Sequence, residues 1–265
     1  MESWYNSSEK PLSSSGWLLD HHIAKTYERT KFAKKVNESY PKSILDLGCG
    51  PGLWFEILNQ VCDPDVKFHG ADIDRESLKQ FAIKAKTWDR RVETYEVNLE
   101  YDISALPKVD VILAFNVFSY LNNPSEFLEK LKNNLLPGGK IFIRQYDGSL
   151  LRIGPMSQEL RSKIDNSLLS SLMSSGQFQH YNLDSVYQII QASSYTEKKL
   201  DFELYKRSTP YPKEFVSYYN NTLEWSKKYL SPRMKSQLSD WIKKHNLENG
   251  ASSYFFEVDL VATMS

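Results

Sequence analysis

Between Ser43 and Tyr146 short apolar runs alternate with helical periodicities, and no other feature of the chain restricts its fold as much. Ile44–Leu47, Val66–Ala71, Val92–Val97, Val109–Phe115 and Gly139–Arg144 read as strands. Leu53–Gln60, Arg75–Lys86 and Pro124–Leu136 read as helices set between them. Strands joined through helices at these intervals form crossover connections, which build an α/β fold around a mostly parallel sheet. Val109–Phe115 is apolar except for Asp110, as suits a strand buried on both faces.

The flanking segments are less regular. One helix is expected over Trp17–Val36, where Leu19, Ile23, Tyr27, Phe32 and Val36 return at roughly helical spacing. Further helices are expected at Gln158–Met173 and Asp184–Gln191, and two more within Pro212–His245, divided at Ser231-Pro232 because proline suits an early helical position. Lys198–Tyr205 and Ser253–Ala262 read as strands. Met1–Gly16 is rich in Ser, Asn and Pro and is expected to be mobile until something docks on it. No repeat or linker divides the 265 residues, which points to one domain with helical additions.

Lys plus Arg and Asp plus Glu both number 33, so no net positive field draws the chain to a phosphate backbone. That balance favours a small-molecule partner over nucleic acid. Cys49 and Cys62 form neither a CxxC pair nor a zinc-ligand spacing, and a reduced compartment is expected. The first residues lack the basic and apolar regions of a signal peptide, and no window approaches 18 apolar residues, so a cytoplasmic protein off the membrane is expected.

The first strand breaks at Gly48-Cys-Gly-Pro-Gly52. Glycine allows tight turns and close backbone approach, and the carboxyl ends of parallel strands are where open α/β sheets bind ligands. The turn lacks the GxxxxGK[ST] lysine that a nucleoside triphosphate would want. Asp72 follows Gly52 by twenty residues and ends the second strand in HGAD, a position from which a carboxylate can accept hydrogen bonds from both ribose hydroxyls. Asp46, inside the first strand, would repel a pyrophosphate but could organise the loop around an amino-acid moiety and a sulfonium. This disfavours a dinucleotide cofactor such as NAD.

ILDLGCGPG with Asp72 after it, together with LLPGGKIFI at 135–143, resembles the S-adenosylmethionine-binding core of the class I seven-stranded methyltransferases of small-molecule type. The resemblance implies a doubly wound, mostly parallel seven-stranded sheet whose last strand is antiparallel, with a helical cap over its carboxyl edge. On this basis residues 1–265 form a single methyltransferase domain, with the core at about 41–146, 182–206 and 251–265. The cap would take about 1–40, 147–181 and 207–250. The resemblance places Gly48, Cys49, Gly50 and Gly52 around the methionine part of S-adenosylmethionine, with Asp46 counted among the cofactor-binding residues. Asp72 would take the ribose hydroxyls, Ile73 would pack on adenine, and Asn98 and Leu99 would surround the ring, Asn98 standing where relatives often have aspartate. Asn116 and Val117 would lie beside the transferring methyl. Tyr27, in IAKTYER, is similar to a tyrosine that folds over the cofactor, or is an ordinary aromatic of an amphipathic helix.

Methyl transfer from a sulfonium is an in-line displacement that depends mainly on positioning, so a dedicated base is optional. Asn116-Val-Phe-Ser replaces the Asn/Asp-Pro-Pro-Tyr/Phe segment of DNA amino-methyltransferases, and neither cysteine is placed as a catalytic thiol. The resemblance thus implies methyl transfer to O or N of a small organic molecule, for which a natural product fits the enlarged cap, yielding S-adenosylhomocysteine. RNA or protein methylation, or a non-catalytic binding subunit, are the alternatives. Catalytic candidates are His21 or His22 as proton acceptor, Tyr146, and Arg144, with His180 a weaker one. Arg144 and Arg152 could bind a substrate carboxylate or pair with internal acids. Tyr211, Phe215 and Tyr219 could wall an acceptor pocket or pack a helix core. No His, Asp and Glu cluster has metal-ligand spacing, so no metal is expected. A monomer or homodimer is expected.

Overall fold

A computed structural model describes residues 4–101, 103–148, 150–177, 180–245 and 251–265. Residues 1–3 and 246–250 of the expected cap segments lie outside the described residues. The strands are β1 (Ser43–Leu47), β2 (Lys67–Asp72), β3 (Val92–Glu96), β4 (Val109–Phe115), β5 (Leu135–Tyr146), β6 (Ile153–Gly154), β7 (Lys198–Ser208) and β8 (Tyr254–Met264). They lie in the order β3-β2-β1-β4-β5-β8, with β7 on the far side of β8. Pairings from β3 to β5 are parallel, and β8 runs antiparallel to both β5 and β7. The mostly parallel sheet with an antiparallel last strand is therefore present. It gains an eighth strand, since two-residue β6 pairs with Tyr254 and Phe255 beyond the stretch of β8 that β5 covers.

Alternate residues of the central strands serve two cores, as the strand period requires. Leu45, Ile112, Ile143 and Leu260 pack with Val186 and Ile190 of α7 (Leu183–Ala192) and Leu128 of α5 (Pro124–Lys130). Ile44, Val111, Phe142 and Val261 pack with Phe32 of α2 (Thr26–Asn37), Phe55 of α3 (Leu53–Val61) and Phe81 of α4 (Arg75–Ala85). A third cluster joins α1 (Ser15–Ala24), α6 (Gln158–Ser174), α8 (Lys213–Tyr229) and α9 (Pro232–Lys244) over one end of the sheet through Trp17, Leu168, Tyr218, Leu238 and Phe255.

Four expectations need correction. The single helix expected over Trp17–Val36 is two, α1 and α2, interrupted at Lys25 (φ −111°, ψ 14°). Lys25 is buried and its ammonium pairs with Glu257 and, at 3.7 Å, with Asp259, so the chain bends to bring a cation to two acids of β8. The stripe is also rotated. Leu19, Ile23 and Tyr27 are exposed, and the buried face carries Trp17, His21, His22, Lys25, Arg29, Phe32 and Val36. Third, the helix expected over Pro124–Leu136 ends at Lys130, and a 3-10 turn follows over Leu131–Asn134 because the Asn134 amide donates to the carbonyls of Ile103 (3.2 Å) and Leu106 (2.9 Å). Fourth, residues 4–14 form an ordered strap. Tyr5 and Pro11 pair across it, Ser7 donates to the Asp74 carboxylate, and Tyr120 Oη donates to the Pro11 carbonyl at 2.7 Å. Among the described residues no helix is long and apolar enough to cross a membrane.

Candidate active site

A cavity of about 190 Å³ opens at the carboxyl ends of β1, β2, β4 and β5, under the strap and α1. Its floor is the glycine turn. Gly48 (φ +70°) and Gly52 (φ +76°) are left-handed, a conformation cheap only without a Cβ. A Cβ on Gly48 would lie 2.7 Å from Val117 Cγ1, and one on Gly52 would lie 2.2 Å from the Phe81 ring. The Gly48 and Cys49 amides donate to the Ala71 carbonyl at 2.8 and 3.1 Å, which ties the turn to β2. Asp72 then accepts the Gly50 amide on one oxygen (2.7 Å) and the Asp74 amide on the other (2.8 Å). Both oxygens are thereby aimed, and each keeps a lone pair for a ligand. Burial raises the pKa of this carboxyl.

Of the expected cofactor residues, Gly48, Cys49, Gly50, Asp72, Ile73, Asn98, Leu99, Asn116 and Val117 line the cavity. Asn116 ends β4 at φ +57°, a conformation asparagine tolerates, donates its amide to the Arg144 carbonyl at 2.7 Å and accepts the Tyr146 amide at 3.0 Å. Burial, then Asp72, pushes the Cys49 thiol well up, which leaves it inert as a nucleophile. Asp46 and Gly52 are not on the wall. Gly52 starts α3 against Phe81. Asp46 is buried beneath the turn, and burial followed by Asp72 raises its pKa well above the usual range. Tyr27 stands 65% exposed with Lys31 Nζ 4.3 Å from its ring centre, outside the cavity, because the helix presents its opposite face.

The far end is walled by Trp17 and His21 of α1, by Ser119 and Tyr120 of the 3-10 turn Phe118–Tyr120 after β4, by Gln145 and Tyr146 of β5, and by Tyr181. Tyr146 and Tyr181 share a hydroxyl hydrogen bond of 2.6 Å, and burial pushes both phenols well up, so both are neutral. His21 and Tyr146 are thus the catalytic candidates that reach the cavity. His22 does not, since its Nδ1 accepts from Arg29 at 2.7 Å. Arg144 is engaged by Glu203 (2.7 Å) and Asp259 (2.6 Å), acids of β7 and β8, and does not line the cavity. Arg152 lies 3.5 Å from Asp147 and above the Phe256 ring, away from this wall. Phe215 and Tyr219 pack with Phe255 in the cap core, Tyr211 packs on both, and none of the three lines the cavity. His180 lends only its carbonyl, to Ser119.

The residue missed by sequence reasoning is Arg29. Its guanidinium is buried on the cavity wall, stacks on Trp54 (4.9 Å), reaches His22 and His21, and has no carboxylate within ion-pair distance among the described residues. Burial, then Arg144, pulls its pKa down to about 10, so it remains a cation at neutral pH. A signal for it existed. Arg29 sits four residues after Lys25 and four before Ala33, on the stripe that carries Phe32 and Val36.

Residues 45–141 match the model of a methyltransferase domain family. The matched stretch holds the glycine turn, the β2 acid and strands β2 to β4, so this part of the chain is similar to the class I S-adenosylmethionine-dependent methyltransferases. The chain is 24% identical over 139 residues to the tRNA U34 carboxymethyltransferase of Idiomarina loihiensis, covering 50% of the chain and 42% of the relative. It is 30% identical over 138 residues to the trans-aconitate 2-methyltransferase of Azoarcus sp., covering 49% and 52%. The matches therefore span about half the length of these curated relatives. The fold of the chain is similar to that of Haemonchus contortus phosphoethanolamine N-methyltransferase 2, solved in complex with S-adenosyl-L-methionine, with a TM-score of 0.53 at 16% identity over 96% of the chain and 59% of that structure.

Proposed function

We propose that this chain transfers the methyl group of S-adenosylmethionine to an oxygen or nitrogen of a small organic molecule. Arg29 carries the reading: a buried cation without an acidic partner, on a wall that also holds Asp72 and the glycine turn, needs an anionic group, and the methionine carboxylate of this cofactor supplies one. The carboxylate of Asp72 suits ribose hydroxyls, and Ile73, Asn98 and Leu99 suit the adenine. These residues fit the cofactor without a phosphate-binding element.

S-adenosylmethionine supplies a methyl group on a sulfonium, open to attack from behind. The chain's part is to orient and to keep water out. Asn116 and Val117 border the transfer position, while Trp17, Tyr120, Tyr146 and Tyr181 give the acceptor end flat apolar walls that exclude solvent. Residues 1–265 act in this reading as one domain in the cytoplasm, α1, α6, α8 and α9 forming the cap over a small acceptor.

The deciding measurement is calorimetric titration with S-adenosylhomocysteine beside NAD. Binding of the thioether, loss of at least about tenfold in Asp72→Ala and no heat with NAD support the proposal. A folded protein that gives no heat with S-adenosylhomocysteine overturns it. Transfer of labelled methyl to bulk RNA or lysate protein, but to no small-molecule fraction, would replace the acceptor class. Binding without transfer to any fraction would make the chain a non-catalytic subunit.

A further inference from the structure

The acceptor end of the cavity holds two buried polar atoms that none of the described residues satisfies. His21 Nε2 and Gln145 Oε1 both lack a hydrogen-bond partner, and both side chains lie on the cavity wall, His21 at 7% exposure and Gln145 at 1%. The remaining valences of each are fixed from behind. The Gln145 amide nitrogen donates to Ser119 Oγ at 2.9 Å and to the Tyr146 carbonyl at 3.3 Å, which leaves its oxygen as an acceptor with nothing to accept. His21 Nδ1 faces Arg29 Nη2 at 3.5 Å, and a guanidinium offers only donors. The ring nitrogen facing it must be unprotonated, so in the neutral ring Nε2 carries the hydrogen.

The surroundings of His21 hold the ring in that form. Tyr218 of α8 stacks on it at 4.9 Å between ring centres, Tyr146 of β5 lies 6.1 Å away, and Lys25, Arg29 and Arg144 surround it with positive charge. The nearby acids of β8 are already engaged, Glu257 by Lys25 and Tyr218, and Asp259 by Arg144 and Lys25. Burial first, then Lys25, Arg29 and Arg144, hold the pKa of His21 well below the usual imidazole range. A ring in this position is a poor proton acceptor, and its catalytic assignment changes accordingly.

Building on the proposed function, we infer that His21 and Gln145 form a paired reading edge for the acceptor molecule, His21 donating through Nε2–H and Gln145 accepting through Oε1. The group that satisfies both is neutral and planar and carries one hydrogen-bond acceptor and one donor, as a carboxamide, a lactam or a hydroxyl beside a carbonyl does. Trp17, Tyr120, Tyr146 and Tyr181 supply the flat walls. An alkylammonium offers donors only, leaves His21 Nε2–H unsatisfied and meets the Arg29 cation on the wall. A carboxylate offers acceptors only and leaves Gln145 Oε1 unsatisfied. His21 is on this account a specificity residue.

The test uses the full chain saturated with S-adenosylhomocysteine, so that failure of the cofactor reading shows first as failure to saturate. Nitrogen-15 NMR of the imidazoles, with His21→Gln to assign the signal, is expected to show His21 neutral and protonated at Nε2 from pH 8 to pH 5. Titration with a midpoint near 6.5, or protonation at Nδ1, overturns the inference. Benzamide, benzoate and benzylammonium are then titrated into the same complex. Benzamide is expected to bind more tightly than either ion, with its affinity cut about tenfold in Gln145→Leu while S-adenosylhomocysteine affinity stays within about twofold. Tighter binding of benzoate or benzylammonium, or benzamide binding indifferent to residue 145 or absent, overturns the assignment of the ligand class.

Discussion

Arg29 donates to His22 Nδ1 at 2.7 Å, so the two residues pair as a buried cation and a neutral ring on adjacent helices. The pairing orients the guanidinium without neutralising it. A charge held this way is free to meet a ligand carboxylate, and the geometry spends no acid of the protein on it.

Arg29→Met is accordingly expected to weaken S-adenosylhomocysteine by roughly ten- to a hundredfold, the usual worth of a hydrogen bond to a charged group. 5′-Methylthioadenosine, which lacks the carboxylate, should stay within about twofold. Calorimetry on both ligands checks this, and equal losses would assign Arg29 to folding instead.

Tyr27→Ala should leave S-adenosylhomocysteine affinity within about twofold, because the ring points away from the cavity and is 65% exposed. A tenfold loss in the same titration would mean that the helix turns its other face inward when ligand binds.

Asp46→Asn is expected to stabilise the protein at neutral pH. Its pKa is raised in the fold, so the folded state retains a proton that the unfolded chain releases, and stability falls as pH climbs through that raised value. Removing the charge should raise the melting temperature by roughly 2–4 °C for each kcal/mol recovered. The gain should shrink as pH is lowered, which melting curves taken across pH will show.

His22 acts with the opposite sign. Burial, then Arg29, lowers its pKa to about 3, so the unfolded chain binds a proton that the folded chain refuses. The stability this residue contributes is complete above about 6.5 and is lost as pH falls from there towards about 3. His22→Gln keeps an acceptor for Arg29 and should flatten the acid side of the stability profile in denaturant titrations, with His21, His69 and the other groups of lowered pKa keeping part of the slope.

Gly52→Ala should destabilise the fold by about 2 kcal/mol or more, since the new methyl meets the Phe81 ring at a left-handed backbone position. Phe81→Leu in the same chain should restore part of the melting temperature. An additive second loss would place the strain in the backbone alone.

The elements around the glycine turn were legible because each announces itself locally. Val109–Phe115 is a strand in both readings, and Leu53–Val61 and Arg75–Ala85 differ from expectation by a single residue at one end. Asp72 could be placed from its distance to the turn. The errors lie where a charged residue is buried by something remote in sequence. Lys25 bends its helix for Glu257 and Asp259, more than two hundred residues on, and no local pattern encodes that. For Arg144 the sequence left a substrate carboxylate and an internal acid equally open, and β7 and β8 decide it by bringing Glu203 and Asp259 to the guanidinium. Arg29 looked like one more surface charge in TYERTKFAKK, although its spacing from Phe32, Ala33 and Val36 marked the buried face. Counting Leu19, Ile23 and Tyr27 as that face was reasonable on hydropathy alone, and tertiary ion pairing overrode it.

The bend at Lys25 also has a mechanical side. Where α1 ends, the Ala24 carbonyl accepts Tyr205 Oη at 2.9 Å, the next side chain is locked to two acids of β8, and Trp17 lies against Tyr218 of α8. A helix clamped to the central sheet in this way is a doorpost and does not swing. The strap ahead of it is fastened by Ser7 to Asp74, by Lys10 to the Tyr120 carbonyl at 3.5 Å and by Tyr120 to the Pro11 carbonyl. Those fastenings are partly buried, and Leu12 seats the strap in the cap core, so packing as well as polar contacts holds it over the cavity.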